Sequence, residues 1–257
     1  MLKNVIACML LLLCRGTSFA QLNESDTVRF QLRASLTGAY QQGNVEVLNI
    51  RSKLDFSFSR HRYWVFKSQN SSLYQEFYSL RADNDIFSRN YLYYKPSHTI
   101  YPFAIAYVST NFRRKIQYRY FAGTGTTYQL IDNQKNVLKL SASAVYESTH
   151  FMAFSFNYPE YNGNETIHLF RATFYIAGWN YFLDRHIRLY YDAYWQPAFN
   201  NRHNYRTQLD ISADLTIWKG LSCTILYGYS HENVVVTNIR QKDKLLTFGL
   251  AYNLRRI

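Results

Sequence analysis

The sequence is poor in the residues that staple or punctuate most folds. Its 257 residues hold only 3 Cys, 4 Pro and 10 Gly. So few cysteines exclude a disulfide scaffold. Acids are also scarce, 17 against 29 Lys and Arg, for a net charge of +12. Repeated apolar runs of about 20 residues, which a helical membrane protein needs, are missing. One shorter run occurs, at the extreme N-terminus. Aromatics are the opposite case: 24 Tyr, 18 Phe and 4 Trp exclude a disordered chain. The length suits one large domain or two small ones.

The N-terminal run has the form of an export signal. Lys3 supplies a positive start, Val5 to Cys14 an apolar stretch, and Ser18-Phe19-Ala20 small residues at the two positions a signal peptidase reads. Cleavage is expected before Gln21, giving a signal peptide over 1–20 and one domain over 21–257. Arg15 breaks the run, which is short for an uncleaved anchor. Cys14 follows Leu13, so the lipoprotein pattern fails. With the leader go Lys3 and Arg15 but no acid, so the charge falls from +12 to +10. Cys8 and Cys14 go as well, leaving Cys223 with no internal disulfide partner. Export argues against nucleic acid as the partner of this positive charge. Anionic lipid or small anionic solutes fit it better.

After residue 27 the dominant period is two. In LLTFGLAYNL (245–254), Leu246, Phe248, Leu250, Tyr252 and Leu254 face one way, against Thr247, Gly249, Ala251 and Asn253. Residues 209–217, 28–36 and 138–147 repeat the pattern, with one apolar and one polar face. Twelve strands are predicted, roughly at 28–42, 45–59, 63–78, 85–96, 102–111, 115–130, 137–151, 166–182, 187–197, 205–218, 221–232 and 242–254. The third and fourth alternate poorly. Connections after even strands are short. Those after odd strands include the two longest, Met152 to Glu165 and Asn233 to Gln241, although Gly43-Asn44 is brief.

This asymmetry, with an even strand count, predicts an all-β, antiparallel transmembrane barrel with both termini on the periplasmic side. The competing reading is a secreted sandwich or lipocalin-like barrel. Three features favour the membrane. Many strands exceed the ~9–11 residues of a tilted span. Tyr40, Tyr146, Trp195 and Tyr229 at one level, and Phe58 and Tyr252 at the other, suit two interfacial girdles. The apolar faces carry no charge, while the polar faces carry several that can line a wet lumen. A bacterial outer membrane is therefore the expected location.

Thr247, Gly249, Tyr252 and Leu254 resemble the C-terminal signal by which bacterial outer-membrane barrels meet their assembly machinery, here followed by Arg255-Arg256-Ile257. Two longer stretches, SLTGAYQQGNVEVLNI (35–50) and YRYFAGTGTTYQLIDNQKNVLKLSASAVYE (118–147), resemble the outer-membrane barrels of domain of unknown function 481, the salt-induced outer-membrane protein group. The resemblance covers about residues 30–257. Where that family commonly has Gly-Tyr, this chain has Thr126-Thr127-Tyr128. It implies an outer-membrane location and no activity.

Catalytic and metal patterns are weak. Some twelve-stranded barrels are phospholipases that carry a His-x-Ser-Asn-Gly run. None occurs here, and His150 follows Ser148-Thr149 in the wrong order. No enzyme is expected, although a triad is recognised by geometry rather than by order. The seven histidines form no close pair at ligand spacing, and there is no phosphate-binding Gly loop. No cofactor or metal is expected.

The lumen is then the candidate site. By parity the inward residues include Arg29, Arg33, Arg51, Lys53, Arg119, Lys139, Arg171 and Arg188, facing Asp55, Glu147, Asp192, Asp210 and Asp214. Tyr190 and Tyr194 also point in. Two readings stand. Excess base favours a narrow pore or passive channel selective for anions. Alternatively, Arg and Asp pair across the lumen and fill it, leaving a closed structural or stress-related barrel. Twelve strands lie between packed barrels of about eight and open ones of 16–18, so size does not decide. The outer loop 154–162, with Phe154, Phe156, Tyr158 and Tyr161, is expected either to bind a sugar or partner or to rest on the lipid surface.

Overall fold

The computed structural model describes residues 29–256 apart from 44–45, 61–62, 134, 185 and 219. The export signal expected over 1–20 lies outside the described residues. Twelve strands follow one another: β1 (Phe30–Gln41), β2 (Val47–Arg60), β3 (Trp64–Phe77), β4 (Leu80–Tyr94), β5 (Ile100–Asn111), β6 (Ile116–Asp132), β7 (Asn136–Phe151), β8 (Thr166–Phe182), β9 (Ile187–Pro197), β10 (Tyr205–Trp218), β11 (Leu221–Glu232) and β12 (Lys242–Arg256). Each pairs antiparallel with its sequence neighbours. β1 meets β12 from Phe30↔Arg256 to Gly38↔Phe248, which closes the barrel. Closure matters because hydrocarbon offers no partner to a free strand edge, and a closed ladder leaves none.

The period of two decides which side chains face lipid. On β12, Leu246, Phe248 and Leu250 are each more than half exposed, whereas Thr247 between them is 0% exposed. The same contrast runs through β10, where Asp210, Ser212 and Asp214 are buried inside. In water this surface would be a continuous apolar patch. In a membrane it is the lipid-facing band. Near the periplasmic rim Trp64 and Tyr94 sit 4.8 Å apart between ring centroids, and Phe58 lies beside them on β2. Tyr40, Tyr146 and Trp195 lie towards the other rim.

Two departures from the expected strands have local causes. β4 starts at Leu80, five residues earlier than expected, because β3 and β4 are joined by Tyr78 and Ser79 alone, at φ 48° and 59°. Paired positive φ angles make the tight hairpin turn usually marked by Asn-Gly. Tyr-Ser carries no such mark. The poor alternation of β3 and β4 reflects an exchange of roles between faces. Val65, Leu73, Tyr91 and Tyr93 are buried in the lumen, while Ser68, Asn70, Ser72, Ser88 and Asn90 have the parity of the outer face.

Candidate functional site in the barrel lumen

Inward parity brings acids and bases from distant strands into one narrow space, arranged in tiers. In the periplasmic tier, Arg33 on β1 (2.9 Å) and Arg188 on β9 both hold Asp214 of β10. In the middle tier, Lys53 and Arg51 of β2 reach Asp210 of β10 at 2.8 and 3.4 Å. At the same level Arg89 of β4 crosses to Asp192 of β9 at 3.0 Å. Asp192 also accepts hydrogen bonds from Tyr175 (2.5 Å) and Tyr190 (3.0 Å).

The outer tier centres on Glu147 of β7, only 2% exposed. Arg206 of β10 lies 2.5 Å from it, Arg171 of β8 3.1 Å and Arg119 of β6 3.9 Å. Arg119 also forks onto both carboxylate oxygens of Glu232 on β11, at 2.7 and 2.9 Å. Planar two-point contacts of this kind are the strongest that Arg makes. Above them Arg114 holds Asp243 at 2.6 Å and Arg113 holds Asp83 at 3.2 Å. An isolated charge in so dry a space would be unfavourable, and these pairings offset its desolvation.

Twelve of the thirteen lumen residues named from sequence point into the barrel: Arg33, Arg51, Lys53, Asp55, Arg119, Lys139, Glu147, Arg171, Arg188, Asp192, Asp210 and Asp214. Arg29 stands exposed at the rim just ahead of β1, its carbonyl accepting from Ser59 N–H at 2.9 Å, and no ion pair ties it to the lumen among the described residues. Sequence reasoning missed Lys67, Arg89, Arg114 and Arg206 among the bases, and Asp83, Asp85, Glu232 and Asp243 among the acids. Arg206 and Glu232 carry a usable signal, since they continue the parity of Asp210 and Thr224 to the outer ends of their strands. Arg89 sits in the strand whose alternation is blurred. Arg114 folds inward from a turn held by its own N–H on Asn111 Oδ1 at 2.8 Å, which no strand period foretells. These additions bring four bases and four acids, so the basic excess seen from sequence stays, while Arg89, Arg114, Arg119 and Arg206 each gain an acidic partner.

One sector of the inner wall is apolar. Tyr91, Tyr93, Tyr101, Phe103, Ile105 and Phe121 of β4–β6 form one buried cluster. Arg206 stacks over Phe121 at 5.5 Å, and Lys139 over Tyr101 at 5.7 Å. Little open space remains. A cavity of about 150 Å³ lies below the outer mouth, beside Arg113, Arg114 and Asp243. Two deeper ones, near Phe87 and Arg89, are about 30 Å³ each. Each deep cavity has room for about two or three waters, far less than a continuous path for a hydrated solute.

The outer mouth is roofed on its β7–β12 side. The loop after β7 and the loop after β11 meet as a short antiparallel bridge, Phe156↔Val236. Asn157 donates its N–H to Val235 O at 3.0 Å and Thr237 donates to Ser155 O at 2.8 Å. Phe156 and Tyr161 are buried there with Phe151, Val234 and Val236. The aromatics expected to touch a partner or lipid therefore form the core of a lid, and only Phe154 stands out, at 61% exposure.

A closed twelve-stranded barrel with short turns at one rim, long loops at the other and a charged interior is the form outer-membrane proteins take. The model of the family described as protein of unknown function, DUF481, matches residues 34–254. The chain belongs to this family. No curated protein matches it in sequence. Among solved structures it is similar to the NanC porin, with TM-score 0.51 and 10% identity over 88% of this chain and all of that one. It is also similar to an outer membrane channel from Pseudomonas putida F1 (TM-score 0.47, 11% identity, 94% and 99% covered). A third similarity is to the translocator domain of autotransporter NalP from Neisseria meningitidis (0.44, 12%, 97% and 95%). At these identities the likeness is one of fold. This DUF481 chain is thus an outer-membrane β-barrel protein of the Gram-negative type.

Proposed function

We propose that this barrel is closed at rest and serves the outer membrane as a structural, stress-bearing component rather than as a standing pore. The ladder of ion pairs that crosses the lumen from Asp214 up to Asp243 carries this reading. A pore needs a continuous wet path, whereas this interior is bridged at every level and roofed on one side. Surrounding lipid is its principal partner. Export through the leader, and assembly through Thr247, Gly249, Tyr252 and Leu254, complete the reading. It assigns no catalysis to the chain, and lipid hydrolysis by the purified barrel would overturn that part.

The test is single-channel recording in planar bilayers under a salt gradient. Folded protein, verified by faster gel migration before boiling than after, is expected to leave the bilayer silent. Steady discrete steps with a reversal potential favouring anions would overturn closure and establish the second reading, a narrow anion path. One observation favours that alternative: the charged lining of the outer cavity has six bases, Arg113, Arg114 and Lys244 among them, against the four acids Asp85, Asp210, Glu232 and Asp243. Cations at a mouth lower the barrier for small anionic solutes. Under the closed reading, removing the lid by deleting residues 153–163 gives at most brief flickers, because the tiers below still block the lumen.

A further inference from the structure

The outer face of the barrel is not uniformly fit for lipid. Halfway along β2, β3 and β4, where the hydrocarbon is deepest, Ser52, Ser68, Asn70, Ser72, Ser88 and Asn90 share the outward parity. Register places them side by side: Ser52↔Ser72, Asn70↔Ser88 and Ser68↔Asn90. Apolar outward residues bracket the patch, Phe56, Phe66 and Leu92 towards the periplasm and Ile50 and Ile86 towards the outside. Across the barrel, Phe174 on β8, Ala193 on β9 and Ile211 on β10 face outward midway along their strands. Elsewhere at mid-depth the outward polar groups are the lone hydroxyls of Thr124 and Thr126 on β6, whereas side-chain amides occur there on β3 and β4.

Acyl chains cannot satisfy these groups, and the barrel does so only in part. Asn70 donates from its amide nitrogen to Leu54 O (3.1 Å) and Ser68 Oγ (3.0 Å), and Asn90 donates to Ser88 Oγ (3.0 Å). Among the described residues the two amide oxygens accept no hydrogen bond, and the hydroxyls of Ser52 and Ser72 make none. Ser52, Asn70, Ser72 and Ser88 floor a groove walled by Leu36, Leu54, Ile86 and Leu250. Polar groups left in hydrocarbon are expensive and mark contact with something that can pair with them.

We propose that this face is the interface between two copies of the chain, related by a two-fold axis along the membrane normal. The patch supplies its own complement, since each amide and hydroxyl both donates and accepts. Such an axis brings equal depths together, so a patch at mid-depth meets itself, as an isologous interface requires. Soluble partners and lipid headgroups do not reach this depth.

Site-directed cross-linking in intact outer membranes tests the proposal. Cys223 is free and exposed on the lipid side of β11, so Cys223→Ser is introduced first. Ser52→Cys, Ser72→Cys and Ser88→Cys are then added singly, with Ile211→Cys as the far-wall control. After oxidation, at least one of the three is expected to give a disulfide-linked species of twice the chain mass, several-fold more abundant than the control gives. Adding Asn70→Leu and Asn90→Leu is expected to remove that species while the unboiled protein keeps its fast gel migration, because these changes make the lipid face more apolar. Links no more abundant than the control's, links to a protein of different mass, or a dimer indifferent to the two leucines would each overturn it.

Discussion

Glu147→Leu is expected to lower the stability of the barrel in urea by about 3–5 kcal/mol, the usual loss when one member of a buried ion pair is removed. The carboxylate serves three guanidinium groups, from Arg206, Arg171 and Arg119. Two of these have other acceptors. Arg119 keeps Glu232, and Arg171 keeps the carbonyl and side-chain oxygens of Asn204. Arg206 fares worst: its Nε donates to Gln196 Oε1, but Glu147 is the ion partner of its Nη2. Adding Arg206→Leu should therefore recover part of the loss, because an apolar pair of similar volume replaces a buried ionic one at little net change. The measurement is a urea titration followed by the gel-mobility difference between folded and unfolded barrel, with stability taken by linear extrapolation. A Glu147→Leu barrel within about 1 kcal/mol of the parent, the range of exposed pairs, would mean that water screens the lumen. The interior would then be wet enough to conduct.

Gly249→Ala should prevent the barrel from closing. Gly249 faces Thr37 across the β1–β12 seam, and a β-carbon built on it would lie 2.1 Å from Leu36 O and 2.5 Å from Thr37 Cα. Both are backbone atoms of the partner strand, so no rotamer change relieves the clash. The sequence offered a different reason for this glycine, as part of the signal read by the assembly machinery. Refolding from urea into detergent micelles, with no machinery present, separates the two. A steric requirement predicts that purified Gly249→Ala fails to reach the fast-migrating form in micelles as well as in cells. Normal refolding in micelles with failure only in cells would assign the residue to recognition.

The two results would also show what a linear reading of the chain can and cannot reach. Strand count, closure and most of the charged interior were legible because a closed barrel ties side-chain direction to parity, and β1, β7, β10 and β12 keep that parity cleanly. It failed where parity stopped being the governing constraint. Arg29 stands exposed at the rim, just ahead of β1. Arg114 is set by a turn. Tyr101, Phe103, Ile105 and Tyr107 point inward although they are large and apolar, with Ala104 and Ala106 outside. In β3 and β4 the seryl and asparaginyl outer positions hid the rhythm, and Arg89 was lost with it. Pairing partners were not legible at all. Arg89 and Asp192 are 103 residues apart and Arg119 and Glu232 are 113 apart, and no local pattern links them. Reading the charges without their partners is what made the lumen look open to free anions when most of its charges are paired.

The lid has a consequence for the order of events during insertion. Its two halves come from loops some eighty residues apart, joined for example by Ser155 and Thr237 at 2.8 Å. The second half belongs to the hairpin that carries β12, the strand that completes the circle with β1. A nascent barrel that has placed β7 and β8 but not yet β12 has Phe151 and Tyr161 beside Phe156 but lacks the bridge to Val236 that covers the mouth. The assembled bridge is thus a marker of maturity on the cell surface. An antibody that needs both loops would recognise finished molecules and pass over partly inserted ones, which would allow the last step of biogenesis to be timed in living cells.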